Sequence, residues 1–309
     1  MRDAFVAALT ELAEDDPSVF LITADLGFGV LTQFAERFPK QFLNVGVAEQ
    51  NMTGVATGLA LEGRVVFTYS IANFPTLRCL EQIRNDALYH NVNVNVVAIG
   101  GGFSYGALGM SHHATEDLAI MRALPGLVVV SPGCLWETRG ATRALALTDG
   151  PSYLRLDKSN AGDTKREGEV FNLGAIRTLR EGDALTIAAT GGILAEALSA
   201  AETLGGEGIA CRVLSVNSLR PLDKDTVERA CAETGGLLAV EEHLVEGGLG
   251  GLLAECCLEN DVRPKTFYRL GLRDGWPKVV GSQQYLRGEC GVDAAAIAVK
   301  ARQMVLKSK

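Results

Sequence analysis

The sequence predicts an α/β protein built from two doubly wound domains, each with a mainly parallel sheet. Three observations lead there. Short apolar runs of strand length alternate with stretches of helical periodicity through the first half of the chain. A polar segment without periodicity, Lys158 to Gly168 (KSNAGDTKREG), breaks the alternation, which restarts beyond it. Continuous apolar strands separated by helices need crossover connections, and these cover both faces of a parallel sheet. The 309 residues suffice for two such cores. The chain is therefore divided into a first domain at 1–160, a linker at 161–170 and a second domain at 171–309.

Residues 2–14 have helical spacing, and Val19-Phe20-Leu21-Ile22-Thr23 is the first strand. A helix is expected over 47–61, a strand over 64–68, a helix over 76–90 and a β-branched strand over 92–99. Residues 116–123 and 135–147 read as helices, and 127–130 and 152–156 as strands. In the second half, 185–189, 210–216 and 237–240 read as strands. Helices start at Ile193 and after the glycines Gly247, Gly248, Gly250 and Gly251, where close packing is a better explanation than phosphate binding. A helix over 294–306 closes the chain.

Hydrophobic residues make up 47% and charged residues 21%, an ordinary globular composition. The net charge of −8 argues against a nucleic-acid surface or an anionic membrane, and no Lys/Arg block opposes that reading. No apolar stretch is long enough to span a bilayer, and the N-terminus lacks a signal-peptide pattern. The seven cysteines are scattered without CxxC pairs, which suits a reducing compartment, so the protein is expected in the cytoplasm.

The residues that carry chemistry gather in the first half. Asn44-Val45-Gly46-Val47-Ala48-Glu49-Gln50-Asn51-Met52 set Glu49 just inside a helix continued by small or apolar Val55, Ala56, Gly58, Leu59 and Ala60. A carboxylate so placed has little water and needs a hydrogen-bonding partner. The plainer reading is a helix-start acid favoured by the macrodipole. Phe74 ends Ser70-Ile71-Ala72-Asn73-Phe74, where an aromatic is ordinarily core; Arg78 follows a helical turn later, where a lone arginine is ordinarily solvated. Asp25, in Ala24-Asp25-Leu26, reads alone as a cap. His112 and His113 are adjacent, but no nearby carboxylate or cysteine has zinc-ligand spacing. Ser111 could open a capping box with Thr115 and Glu116 starting the helix.

Taken together these segments resemble the transketolase-like thiamine diphosphate (ThDP) enzymes, and the resemblance to their pyrimidine-binding and C-terminal domains covers essentially the whole chain. In the second half it rests on Thr190-Gly191-Gly192, Leu219-Arg220-Pro221-Leu222-Asp223 and Val240-Glu241-Glu242-His243, a domain that in those families mainly supports dimerisation. The resemblance implies that Glu49 accepts a hydrogen bond from N1′ of the cofactor's aminopyrimidine and favours the tautomer that activates the thiazolium. It implies Phe74, with Tyr69 as second choice, as the pyrimidine platform, and Asp25 beside the thiazolium. His112 is implied as the catalytic histidine that contacts the donor's hydroxyl. His113, Arg78, Arg155 and Lys158 are the further candidates for contact with small sugar substrates.

The family's Gly-Asp-Gly segment and following Asn, which hold Mg²⁺ and the diphosphate through hard oxygen ligands, do not occur here. The resemblance is thus closest to split transketolases. It implies no metal ligand in this chain, Mg²⁺ held mainly by an N-terminal partner subunit carrying Gly-Asp-Gly…Asn, and an α2β2 heterotetramer. The acceptor side departs from the ordinary pattern: Gly29, Gly100 and Lys158 stand where two phosphate contacts and an arginine are usual, and Leu108 replaces a hydroxyl-reading acid. The run Gly100-Gly101-Gly102 suggests an opened wall. The expected function is transfer of a two-carbon ketol unit from a ketose to an aldehyde or keto acceptor other than an ordinary sugar phosphate. Two alternatives stand beside it: a 2-oxoacid-decarboxylating subunit (dehydrogenase E1β-like or deoxyxylulose-phosphate-synthase-like), and a non-catalytic scaffold.

Overall fold

A computed structural model describes residues 1–273 and 275–308. The first half runs α1 (Arg2–Asp15), β1 (Val19–Thr23), α2 (Thr32–Arg37), β2 (Phe42–Asn44), α3 (Glu49–Leu61), β3 (Val65–Ile71), α4 (Leu80–Gln82), β4 (Val94–Ile99), α5 (Asp117–Ala123), β5 (Val128–Val130), α6 (Leu135–Ala146) and β6 (Ser152–Leu156). The second half runs β7 (Arg177–Arg180), β8 (Leu185–Ala189), α7 (Leu194–Gly206), β9 (Cys211–Ser215), β10 (Ser218–Arg220), α8 (Lys224–Glu233), β11 (Leu237–Leu244), α9 (Leu249–Glu259), β12 (Phe267–Leu272), α10 (Gln283–Glu289) and α11 (Ala294–Ser308).

These strands make two sheets, in the orders β10-β5-β6-β4-β3-β1-β2 and β12-β11-β8-β9-β7. The first is parallel except for β10, which joins β5 antiparallel. The second is parallel except for its edge strand β7. The expected α/β class with two doubly wound sheets is what the chain forms. All six residues of β4 are buried, as a central strand covered on both faces requires. Phe5 and Leu9 of α1 and Ala141 and Leu145 of α6 cover one face of the first sheet; Met52 and Ala56 of α3 and Leu118 and Met121 of α5 cover the other. In the second sheet α7 and α11 share one core, and α8 and α9 the other.

Two local expectations are corrected. The helix expected over 76–90 begins only at Leu80 and opens into a π-helix over Ile83–Leu88. The delay has a cause: Thr76 Oγ1 donates to Ala72 O at 2.5 Å and Cys79 Sγ to Phe74 O, so side chains take the carbonyls a regular helix start would use. Ser111 opens no capping box either; its Oγ sits 2.9 Å from His112 Nδ1, and Glu116 Oε2 accepts from the backbone and hydroxyl of its neighbour Thr115.

A buried polar seam joins the two sheets. Arg155 is 1% exposed, with Nε 3.0 Å from Asp117 Oδ2 and Nη2 donating to Ala114 O and Glu242 O. Glu242 accepts from Phe103 N at 2.5 Å, from Gln283 Nε2 at 2.9 Å and from Arg287. At the Gly-rich start of α9 a carboxylate of the chain itself takes backbone donors: Glu241 accepts from the Leu249 and Gly250 N–H groups at 2.6 and 2.9 Å. His243 Nε2 accepts from Ala119 N at 3.3 Å and Nδ1 faces Leu244 O, which assigns the neutral Nδ1–H tautomer. Burial raises the carboxyls of both Glu241 and Glu242 above the usual range.

Candidate active site

Five loops or helix starts that follow the carboxyl ends of β1, β2, β3, β4 and β6 carry the candidate residues. This is where open parallel sheets bind ligands, near the reversal of strand order between β1 and β3. Asp25 follows β1, Glu49 opens α3 after β2, and Phe74 follows β3. The loop after β4 carries His112, and Lys158 lies just beyond β6.

Glu49 is 4% exposed, and its Oε2 takes Arg78 Nη1 at 2.9 Å. Arg78 is half-exposed and lies over the Phe74 ring, 4.5 Å from its centroid. Phe74 meets His112 edge to face at 5.3 Å, and His112 meets Tyr105 at 6.3 Å. Lys158 Nζ stands over the other end, 3.9 Å from the Tyr105 ring. Six side chains therefore form one continuous arc, with a carboxylate at one end and an ammonium at the other. Asn73 fixes its middle, because its Nδ2 donates to Ser111 O at 3.3 Å and His113 O at 2.5 Å and so ties the histidine loop to the end of β3. Burial first, then the neighbouring His113, holds His112 below the ordinary histidine pKa.

Four residues singled out in the sequence stand outside the arc. Tyr69 is core: it stacks on Phe5 at 6.1 Å, its backbone carbonyl accepts from Thr23 Oγ1, and burial raises its phenol. The alternation of β3 explains this, since Tyr69 points to the α1 face. Arg155 is not at the cleft, because Asp117 and two carbonyls hold it in the seam. His113 is 3% exposed, turned onto Phe103 at 5.2 Å with Nε2 3.1 Å from Gly106 O. Asp25 shares the rim, in the left-handed region at φ 55°, but its partner is Asn44.

The opened wall is also corrected. A Cβ at Gly100 would run into the Tyr105 ring, one at Gly101 into Arg155 and Asp157, and one at Gly102 into Glu242. These glycines mark close packing rather than vacancy. Tyr105, which packs against His112 and Gly100, and Asn73, which ties the histidine loop to the end of β3, were not singled out in the sequence. Asn73 directly precedes Phe74, and Tyr105 is only five residues beyond the glycine whose space it fills.

A buried carboxylate whose partner is a half-exposed arginine lying over the Phe74 ring has the acceptor chemistry that the aminopyrimidine of ThDP calls for. Comparison with known proteins agrees. Residues 1–164 match the transketolase pyrimidine-binding domain and residues 174–297 the transketolase C-terminal domain. The chain is 38% identical over 310 residues to the 6-deoxy-6-sulfo-D-fructose transketolase subunit of Clostridium sp. (strain MSTE9), covering 100% of this chain and 95% of that one. It is 35% identical to an apulose-4-phosphate transketolase subunit of Phocaeicola vulgatus, over 99% of this chain and 97% of that one. A solved split-gene transketolase, described as an inactive beta4 tetramer, superposes with a TM-score of 0.89 at 34% identity, over 100% of this chain and 99% of that one.

The chain belongs to the transketolase family. It is the C-terminal subunit of a split, ThDP-dependent transketolase-like transferase that works with an N-terminal partner subunit. Among the described residues no helix is long and apolar enough to cross a membrane.

Proposed function

We propose that this subunit moves a two-carbon ketol unit from a ketose donor to an aldehyde or keto acceptor that is not an ordinary pentose or tetrose phosphate. It works in the cytoplasm, in an α2β2 assembly with a partner that carries Gly-Asp-Gly…Asn and holds Mg²⁺ and the diphosphate. The observation that carries this reading is the arc from Glu49 to Lys158, a pyrimidine and substrate wall lacking any Gly-Asp-Gly anchor. Exposed Phe28, Val47, Leu108 and Met110, in segments that also carry candidate residues, suit cover by a partner. The relatives' substrates, a sulfonated sugar and apulose 4-phosphate, support an unusual acceptor or donor.

ThDP, when bound, would supply the nucleophilic carbon of ketol transfer. Glu49 would hold the cofactor's aminopyrimidine through a hydrogen bond to its carboxylate, and Phe74 would offer the ring an apolar contact. His112, kept neutral by burial and by His113, accepts and returns the proton of a substrate hydroxyl. The Ser111 hydroxyl orients the imidazole from Nδ1.

Calorimetry tests the split site. This chain with ThDP and Mg²⁺ should show little heat until a Gly-Asp-Gly-bearing partner is added, and micromolar binding by the chain alone would sink the reading. With hydroxypyruvate as donor, the assembled pair should turn over ribose 5-phosphate and erythrose 4-phosphate poorly. Losing two or three buried charge-assisted contacts, each worth roughly 1.5–3 kcal/mol, corresponds to several orders of magnitude in kcat/KM.

A further inference from the structure

The loop that carries His112 is held from behind by the second domain. Residues 276–283, which lead from β12 into α10, run across it. The Gly281 N–H donates to Gly106 O at 3.4 Å, and the same carbonyl faces His113 Nε2 at 3.1 Å. The two backbones lie so close that a Cβ at Gly106 would run into the Gly281 carbonyl. Four residues past His112, Glu116 receives the indole N–H of Trp276 on Oε1, while its Oε2 takes the Thr115 N–H at 3.1 Å and hydroxyl at 2.9 Å. Trp276 is 49% exposed, so burial of its ring alone does not account for its placement; its one polar atom is spent on the histidine loop. On the cleft side Asn73 ties the same loop through Ser111 O and His113 O. Among the described residues the His112 ring is hydrogen-bonded only to Ser111, its neighbour on that loop. The place of the imidazole in the cleft therefore follows the backbone of the loop.

We propose that Trp276 is a positioning residue for catalysis: through Glu116 it fixes the backbone of the histidine loop and so the reach of His112 into the cleft. This rests on the reading above that His112 handles a substrate proton. A proton-transferring group displaced by about 1 Å can lose on the order of 10²-fold in rate. Substrate binding is spread over many contacts and depends less on one of them. The strap from the second domain should therefore act on kcat more than on KM.

The test uses the assembled pair of subunits with hydroxypyruvate as donor and glyceraldehyde as acceptor. Trp276→Phe keeps an aromatic ring and removes the N–H; it should lower kcat about tenfold, with KM and the thermal midpoint near wild type. Glu116→Ala should lower kcat by a similar factor, and the double variant should be no slower than the slower single one. In a His112→Asn background, Trp276→Phe should cause no further loss. Hydrogen–deuterium exchange of the assembled pair, read by mass spectrometry, should be about fivefold faster over residues 104–116 in Trp276→Phe, as for loss of one hydrogen bond, and unchanged over β4. Wild-type kcat or unchanged exchange in Trp276→Phe, a loss carried by KM, or an equal further loss in the His112→Asn background would each overturn the proposal. A His112→Asn enzyme with wild-type kcat would instead overturn the reading of His112, and this proposal with it.

Discussion

Arg78 reaches back from the turn before α4 to Glu49 at 2.9 Å while its guanidinium covers Phe74 at 4.5 Å. Glu49 is thus already paired with a cation, and one face of the Phe74 ring is already covered. The proposed cofactor contact at Glu49 requires these contacts to open.

Replacing Glu49 by Gln keeps the shape and removes the charge. The assembled enzyme should still form, with turnover reduced by roughly 10²–10⁴-fold, as for loss of a proton-handling group. Hydrogen–deuterium exchange at thiazolium C2, followed by NMR, should slow in parallel. Exchange at the wild-type rate would show that Glu49 is not the N1′ partner.

Arg78→Met leaves a buried carboxylate without its cation. Because the arginine is half-exposed, the cost to the isolated subunit should be modest, about 1 kcal/mol after screening, read as a lower urea midpoint. Adding Glu49→Gln to the same chain should restore most of the loss, since no charge is then stranded. A double variant as unstable as the single one would argue against the pairing.

His112 provides the pH signature. Its pKa is held below the ordinary 6.5 by burial and by His113, so the folded state favours the neutral ring. Its contribution to stability is complete above the ordinary value and fades as pH falls through the lowered one. The acid limb of the rate profile should therefore have a midpoint below 6.5. His113→Asn should move that midpoint upward. A His112 ring whose NMR titration centres above the ordinary value would contradict the sign.

Arg155 separates a structural from a substrate role. Truncation to Ala strands Asp117 inside the seam, and breaking a buried pair in this way costs about 3–5 kcal/mol. Thermal unfolding should drop steeply, and any surviving enzyme should keep its KM. A stable variant with a raised KM would return Arg155 to the cleft.

That Glu49, Phe74 and His112 lie together in one arc was legible in part, because each sits inside a local run beyond a strand of the first sheet. Short-range pattern also sufficed to find β4 and β6. Arg155 misled because a charge at the end of a strand reads as exposed, whereas its partners Asp117 and Glu242 come from distant elements. Tyr105 was overlooked for the converse reason: its packing against Gly100 exists only where the loop folds back over that residue. β10 has three residues and lies in a stretch with no strand periodicity, so only its antiparallel pairing to β5 identifies it.

That short strand couples the two halves in time as well as in space. A ribosome that has released every residue through Leu156 has made β1 to β6, yet the outer edge of β5 still awaits Ser218 and Arg220. Until they emerge, the nascent first half carries a bare β edge of the kind that recruits foreign strands. Cutting the gene between the two halves would make that transient exposure permanent. Here both sheets, and the β10 strand that closes the first one, lie on a single polypeptide.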